Sequence, residues 1–530
     1  MQEYRKLTII VLPGNPDTPR LVRFAIDGAQ GAKQVWGSSG TQKESYTFER
    51  IPVDGTITLT ASADAKTQDL VAATSHGLVM DTNRYRFPHD GNGPLLYVLN
   101  HELQGTTPVI TVSPELPQYG VFFDGSSNNL CNDIADPNDD RAPTNVVKLY
   151  ELYPRQPGGT LEKVYSAGVG TQAGQSDSKI DLAFATTFGE RIHIVISNLE
   201  RFARRFPRAP YIQIDTFGFS RGAAQARAFV NEVRRLSQVN PMQWGGARIQ
   251  FRCMGLFDTV GSVGWPGDDD NNNVIASRGM GGPIDLYVAP DAVQQAVQLT
   301  AMDEYRHNFP LSSLRSSDGA LPGNFAEETW PGAHADIGGG YAPGTFTIHY
   351  PIIARSPLSS WDDEKTIAQE IKEKDERKYW KPGINIEVDY QVRTVASTTG
   401  GISMRVWTPV WHREVRHELS HVTLARMHTL AKTAGVPLEP LDALRGKGPN
   451  GYEYLIPEGL MDLVNAVRQQ GHHSPAYDSL YREYIHHSHQ YAPVLSPNIV
   501  EEGEQRKIYP NRNSNVVSEE AKVFDEMIAP

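Results

Sequence analysis

YIQIDTFGFSRGAAQARAFVNEVRRL, Tyr211 to Leu236, is the stretch whose reading decides the fold. Tyr211 to Phe217 is a β-branched and aromatic run, the composition of a strand buried in a sheet. In AAQARAFVNEVRRL, Ala223, Ala226, Phe229, Val230 and Val233 recur at helical spacing. Between the two lies Gly218-Phe219-Ser220-Arg221-Gly222, a G-x-S-x-G pentapeptide. With 46 Gly in 530 residues, chance supplies roughly 0.2 such matches, so the flanks must decide. They read strand, tight turn, helix, the setting of a nucleophile elbow. Such a turn needs Gly218 and Gly222 because a Cβ at either would meet the adjoining strand or helix. Ser220 then stands at the C-terminal end of the strand, its Oγ exposed over a helix N-terminus that favours developing negative charge. The other reading is a Gly-flanked turn whose Ser merely caps the helix.

The bulk composition narrows what surrounds this turn. A chain of 530 residues implies two or three domains, and 39% apolar with 21% charged content is that of a soluble globular protein. A net charge of -12 argues against a nucleic-acid partner held by phosphate contacts. The 2 cysteines, Cys131 and Cys253, supply neither a disulfide framework nor a zinc cluster and fit a reducing cytoplasm. MQEYRKLTIIVLPGNPD lacks the apolar core and small-residue cleavage site of a secretory signal. No apolar run is long enough for a transmembrane helix, so membrane contact is expected to be peripheral.

Residues 1–115 contain LTIIVL, RLVRFAI, TITLTAS, LLYVL and VITV, short runs punctuated by Gly, Asp, Asn and Pro. They predict a β-rich, sandwich-like accessory domain for docking or targeting, ending near Ser113 to Gly120. GVFFDGSSNN then reads as a buried strand ending in a turn. In hydrolases of this type the loop after an early strand donates a backbone N–H to the oxyanion hole, so Gly125 or Ser126 is the candidate. The N–H of Arg221 is the other donor. An ordinary Asp-Gly turn is the competing reading. NVVKLYELY reads as a helix, KVYSAGVGT as a strand entering a Gly-rich loop, and Asp181 to Phe206 as a helix. This alternation predicts an α/β-hydrolase-like fold, a mostly parallel sheet covered by helices. The catalytic core is expected over 116–350, with 351–530 forming an insert or lid and a helical covering region.

Two further segments complete a constellation. Ile249 to Phe257 is an apolar run followed at once by Asp258, an acid on the rim where catalytic groups collect. WPGAHADIGGGY, Trp330 to Tyr341, carries His334 in a Gly-rich turn, with Asp336 nearby as a partner. The order Ser, Asp, His is that of α/β hydrolases. Ser220, Asp258 and His334 form an acyl-transfer set needing no cofactor. DDDNNN, Asp268 to Asn273, lacks the Gly and Glu of a calcium loop and reads as solvated. SSWDDEKTIAQEIKEKDERKYW reads as a charged helix and Ile384 to Trp411 as β-like, ending in ISMRVWTPVW, with its aromatics packing on the core rather than dipping into lipid. Glu418 to Gly435 reads as an amphipathic covering helix. The tail histidines, His472, His473, His486, His487 and His489, are not at metalloprotease spacing, and no metal is assigned. The polar final stretch, about 35 residues, reads as loosely packed surface or a docking tail.

GVFFDGSSNN, DTFGFSRGAAQARAF with LFDTVGSVG, and WPGAHADIGGGY resemble the signature blocks of the first family of bacterial type VI secretion lipase effectors. ELSHVTLARMHTLA is a weaker fourth block. The resemblance spans roughly residues 119–345 and departs at Asp268 to Asn273. Carried over residue by residue, the family's catalytic set falls on Ser220, Asp258 and His334. It implies phospholipase A activity on membrane glycerophospholipids of a competing bacterium. It also implies export without a cleaved signal on a secretion spike or adaptor protein, action in the target periplasm or membrane, and a cognate immunity protein. The motifs alone also fit an intracellular carboxylesterase or lipase, or a hydrolase-fold interaction module without turnover.

Overall fold

The computed structural model describes residues 116–130, 142–169, 188–261, 285–344, 414–447, 452–486 and 506–512, save for isolated positions within them. Elsewhere it describes only the backbone of individual strands and one helix end. Six strands form the central sheet: β1 Gln118–Phe123, β2 Leu161–Ser166, β3 Tyr211–Phe219, β4 Arg248–Phe257, β5 Gln295–Ala301 and β6 Phe325–Trp330. Their order is β2-β1-β3-β4-β5-β6 and every neighbouring pair is parallel. The chain reverses its direction of winding between β1 and β3. The crevice beyond the C-terminal ends at such a switch point is where open α/β sheets bind ligands.

Side-chain alternation along β1 explains the layers. Tyr119, Val121 and Phe123 enter one apolar core with helices α2 (Leu182–Ala203) and α3 (Arg221–Val239). Phe122 enters the opposite core with α1 (Asn145–Leu152), α5 (Leu419–Thr433), α6 (Leu460–Gln470) and α7 (Pro475–Glu483). The predicted covering helix is thus present as α5. It ends as expected at Gly435, whose φ of +88° suits glycine.

A bulge interrupts the alternation of β4. Ile214 pairs with Phe251 and Asp215 with Cys253, which leaves Arg252 as the extra residue. Phe251 faces the first core, whereas Cys253 and Phe257 face the second. The extra residue forms a buried ion pair, its Nε 2.9 Å from Asp215 Oδ1 and its Nη2 2.8 Å from Gln118 Oε1. Tyr153 completes the cluster by donating its hydroxyl to Asp215 Oδ2 at 3.0 Å.

Strands between Tyr4 and Pro114 form one sheet of 3 and another of 6, in line with the β-rich expectation. Gly344–His349, Ile353–Arg355, Glu387–Val395 and Met404–Val415 form an antiparallel sheet, so the β-like reading of Ile384 to Trp411 agrees at backbone level. The expectations for Asp268 to Asn273, for the charged helix and for the aromatics of ISMRVWTPVW lie outside the described residues or side chains.

The tail expectation needs correction. Within the final stretch, Ile508–Tyr509 pairs in parallel with Leu311–Ser312. Asn511 is buried and receives a hydrogen bond from Arg227 Nη2 at 3.2 Å. Polar composition suggested a surface segment. Arg227, buried in α3, supplies the reason it is packed: its guanidinium must be satisfied, and it also bonds the carbonyls of Leu286, Ser312 and Ser313.

Candidate active site

Ser220 sits between β3 and α3 with φ 58° and ψ -125°, a strained conformation for a residue bearing a Cβ. Its backbone is held on both sides. Ser220 N–H donates to Phe257 O at 3.0 Å, and its carbonyl accepts from Ala223 at 3.1 Å and from Val260 at 3.3 Å. The glycines do what the turn demands. A Cβ on Gly218 would overlap the backbone of Gly222 and Ala223; one on Gly222 would overlap the carbonyls of Phe123 and Asp124. Ser220 makes no side-chain cap to its helix, which removes the capping reading.

Asp258 follows β4 directly, also at positive φ, 43°. It is wholly buried, and both its oxygens are engaged. Oδ1 accepts from Ala301 N at 2.9 Å, and Oδ2 accepts from His334 Nδ1 at 2.5 Å. Arg506 spans both oxygens, Nη1 to Oδ1 at 2.8 Å and Nη2 to Oδ2 at 2.9 Å. Burial would push this carboxyl up, but Arg506 and His334 outweigh it and hold the group well below the usual carboxylate range.

The imidazole of His334 lies between two rings, Phe219 at 4.6 Å and Phe309 at 5.0 Å between centroids. Burial lowers its pKa by more than the Asp258 carboxylate raises it, which favours the neutral ring. With Nδ1–H donated to Asp258, Nε2 is left with its lone pair. That atom is buried and makes no hydrogen bond, so the link from Ser220 Oγ to Nε2 is not formed here. Such bonds are often loose before substrate arrives.

Carboxylates fix the turn that carries His334 at the start of the short helix α4 (His334–Gly338). Gly332 N–H donates to Asp303 Oδ2 at 2.6 Å, Ala333 N–H to Asp336 Oδ2 at 2.9 Å, and His334 N–H to Glu304 Oε2 at 3.3 Å. Consecutive amides are thereby each held by a different acid. Burial raises the Glu304 carboxyl, yet Arg306, with help from Arg506 and His334, brings it down to about 2. Asp336 is not a partner of the His334 ring, as the sequence suggested. It faces away, toward His486 Nδ1 at 2.6 Å.

On the oxyanion side the loop after β1 folds back on itself. Gly125 N–H donates to Asp124 Oδ1 at 2.8 Å, and Asn128 N–H to Gly125 O at 3.0 Å. The Gly125 N–H, one of the two expected donors of this loop, is here turned to the Asp124 side chain. Ser126 follows in the same loop, and Arg221 opens α3. Asp124 also accepts from Thr144 Oγ1 at 2.7 Å and Tyr165 OH at 2.6 Å. Burial pushes its carboxyl up to about 6 against those donors.

Residues 120–244 and 235–359 match the family model described as "T6SS, Phospholipase effector Tle1-like, catalytic domain". This part of the chain is similar to a Tle1-like catalytic domain. No curated protein matches the chain. Among solved structures, this chain is similar to "Structure of the Tle1 effector bound to the VgrG spike from the Type 6 secretion system", at 20% identity and TM-score 0.53. That match covers 77% of this chain and 96% of the other, and bears on the fold alone. A further match, "Crystal structure of an uncharacterized protein from Pseudomonas aeruginosa", has 18% identity, TM-score 0.39, and covers 68% of this chain and 52% of that one.

Several groups around the site escaped the sequence reading. Asp303 and Glu304 come just after β5, the same strand-end placement that marked Asp258, so that signal could have found them. Arg506 offered none, standing 248 residues from Asp258 in a polar stretch. His417-Glu418-Leu419-Ser420-His421, at the start of α5, also has the H-E-x-x-H spacing of zinc proteases. Among the described residues, however, no group of His, Cys, Asp and Glu could hold a metal ion. His421 Nδ1 is engaged with Leu455 O at 2.8 Å, and the buried Lys148 ammonium beside the ring opposes a cation there.

Proposed function

We propose that this domain is a serine hydrolase cleaving acyl ester bonds of membrane glycerophospholipids, a phospholipase A, with Ser220, His334 and Asp258 as the reacting set. The observation that carries the reading is His334, tied by Nδ1 to Asp258 with Nε2 unbonded, on the same rim as the strained Ser220. Nε2 takes the proton from Ser220 Oγ as that oxygen attacks the ester carbonyl. Asp258 fixes the tautomer and stabilises the imidazolium. The N–H groups of Arg221 and Ser126 receive the oxyanion, at about 3 kcal/mol per donor. Collapse of the tetrahedral intermediate passes the proton from His334 to the departing lysophospholipid oxygen, leaving an acyl-enzyme. His334 then deprotonates a water that attacks the acyl carbon, and the fatty acid leaves as Ser220 recovers its proton.

The family match supports an effector exported by a type VI apparatus and acting on a target-cell membrane as a peripheral protein. No helix among the described residues is long and apolar enough to cross a membrane. The related effector held on its VgrG spike supports a spike as partner, with residues 1–115 as the docking portion. The division into 1–115, 116–350 and 351–530, and an immunity protein in the producer, belong to the same proposal. A non-catalytic interaction module draws on one observation, that Ser220 is only 5% exposed.

Purified protein and Ser220→Ala, presented with phosphatidylethanolamine–phosphatidylglycerol vesicles, separate these readings. Fatty acid and lysophospholipid from the wild type alone, with a loss of at least about 10⁴-fold in the variant, are expected. Turnover of a soluble p-nitrophenyl ester only would remove the phospholipase and leave an esterase. No turnover of either substrate would favour the module.

A further inference from the structure

We propose that Arg506 is a positioning residue of this site, the cation that orients Asp258 and sets how much of its charge reaches His334. The proposal rests on reading Ser220, His334 and Asp258 as the reacting set. Arg506 holds both carboxylate oxygens side-on, at 2.8 and 2.9 Å, a bidentate fork that fixes the plane as well as the place of the acid. The guanidinium is itself fixed, because Nε donates to Phe309 O at 2.7 Å. Phe309 is the residue whose ring packs edge-on against the His334 imidazole. One side chain thus touches both the acid and a wall of the base.

The segment bearing Arg506 is anchored independently of that contact. Leu311 N–H donates to Lys507 O at 2.9 Å, Ser313 N–H to Tyr509 O at 2.9 Å, and Asn511 N–H to Arg315 O at 2.7 Å. Asn511 also bonds Val288 in both directions, at 2.9 Å each. Changing the Arg506 side chain therefore leaves the anchors in place.

The charged groups facing His334 are Asp258 after β4, Glu304 and Arg306 after β5, and Arg506 through Asp258. Removing Arg506 takes away the permanent cation that clasps the Asp258 carboxylate. The remaining negative charge then acts more fully on the imidazole and favours its protonated form. A loosened acid also costs rate, since a misplacement of about 1 Å can cost about 100-fold.

The test uses the full chain, as wild type, Arg506→Met, Arg506→Lys, Asp258→Asn and the double variant. The His334 pKa is followed by histidine-selective NMR, with His334→Gln to assign the signal. Arg506→Met is expected to raise that pKa by about one unit and to lower kcat by about tenfold to 100-fold. Arg506→Lys should recover the pKa and only part of the rate, because an ammonium supplies the charge without the fork. In the Asp258→Asn background the Arg506→Met effect should vanish. An unchanged His334 pKa in folded Arg506→Met, or a rate loss that persists in the Asp258→Asn background, would overturn the proposal. If the Met variant does not fold, the Lys variant decides: wild-type pKa with full rate refutes a role for the fork. The titration needs no substrate, so an inert wild type would sink the proposed activity while the shift in the His334 pKa still tests Arg506.

Discussion

Asp336 and His486, 150 residues apart, are joined twice: Asp336 Oδ2 accepts the His486 backbone N–H at 2.9 Å, and Oδ1 meets its Nδ1 at 2.6 Å. The same Oδ2 accepts the Ala333 N–H at 2.9 Å. One buried carboxylate therefore ties the chain beyond α7 to the turn that presents His334. Asp336→Ala would leave His486 and the Ala333 amide without their acceptor. A loss of about 3–5 kcal/mol in urea unfolding is expected, with a lower kcat as the His334 turn loosens. A variant as stable as wild type would show that the pair is incidental.

The lowered pKa of His334 fixes the direction of the pH dependence. The ring stays neutral to below the ordinary histidine value of 6.5, so the acid limb of kcat/KM on a soluble ester should lie below pH 6.5. The same shift acts on stability. Below pH 6.5 the unfolded chain binds a proton at this ring more readily than the folded one, so stability drains away as pH falls. A limb above pH 6.5 would contradict the burial argument.

Gly222 and Gly158 should respond differently to alanine. At Gly222 the added Cβ meets the carbonyls of Phe123 and Asp124, backbone atoms that cannot swing aside. Gly222→Ala is expected to cost about 3 kcal/mol or more. At Gly158 nothing lies within 4 Å and only the φ of +77° resists, so Gly158→Ala should cost about 1 kcal/mol. Equal denaturation midpoints for the two variants would refute the close approach of α3 to β1.

Asp124 reverses the usual acid behaviour of a carboxylate. Its folded pKa of about 6 lies above the ordinary 3.8, so the folded state holds the proton more tightly. The resulting stability is complete below pH 3.8 and is lost as pH rises through 6, up to about 3 kcal/mol in all. Asp124→Asn removes the titration. The stability of wild type minus that of the variant should therefore fall between about pH 4 and about pH 7. A flat difference would argue against the burial of this charge.

What the sequence disclosed follows the range of the forces involved. The elbow, the strand end at Asp258 and the Gly-rich turn at His334 are local patterns, because sharp turns and strand termini impose residue types on their immediate neighbours. The helices at Asn145–Leu152, Leu182–Ala203 and Leu419–Thr433 were legible for the same reason, from apolar periodicity. The family resemblance then supplied the phospholipid. The loop after β1 was readable only to within two residues, since the turn of the Asp124 side chain onto the Gly125 amide carries no local mark. The supporting ionic contacts were out of reach. Arg506 with Asp258, Asp336 with His486 and Arg227 with Asn511 each pair residues far apart in the chain, and neither partner carries a local mark of the other.

The placement of Arg506 gives the site an order of completion in time. A ribosome delivers Ser220, Asp258 and His334 well before it delivers the arginine that clasps the acid. A nascent or prematurely terminated chain can therefore contain the whole proposed reacting set and still lack the clasp. Translation itself postpones the clasp until Arg506 has been added, so short of that point a producing cell carries chains whose acid is unclasped.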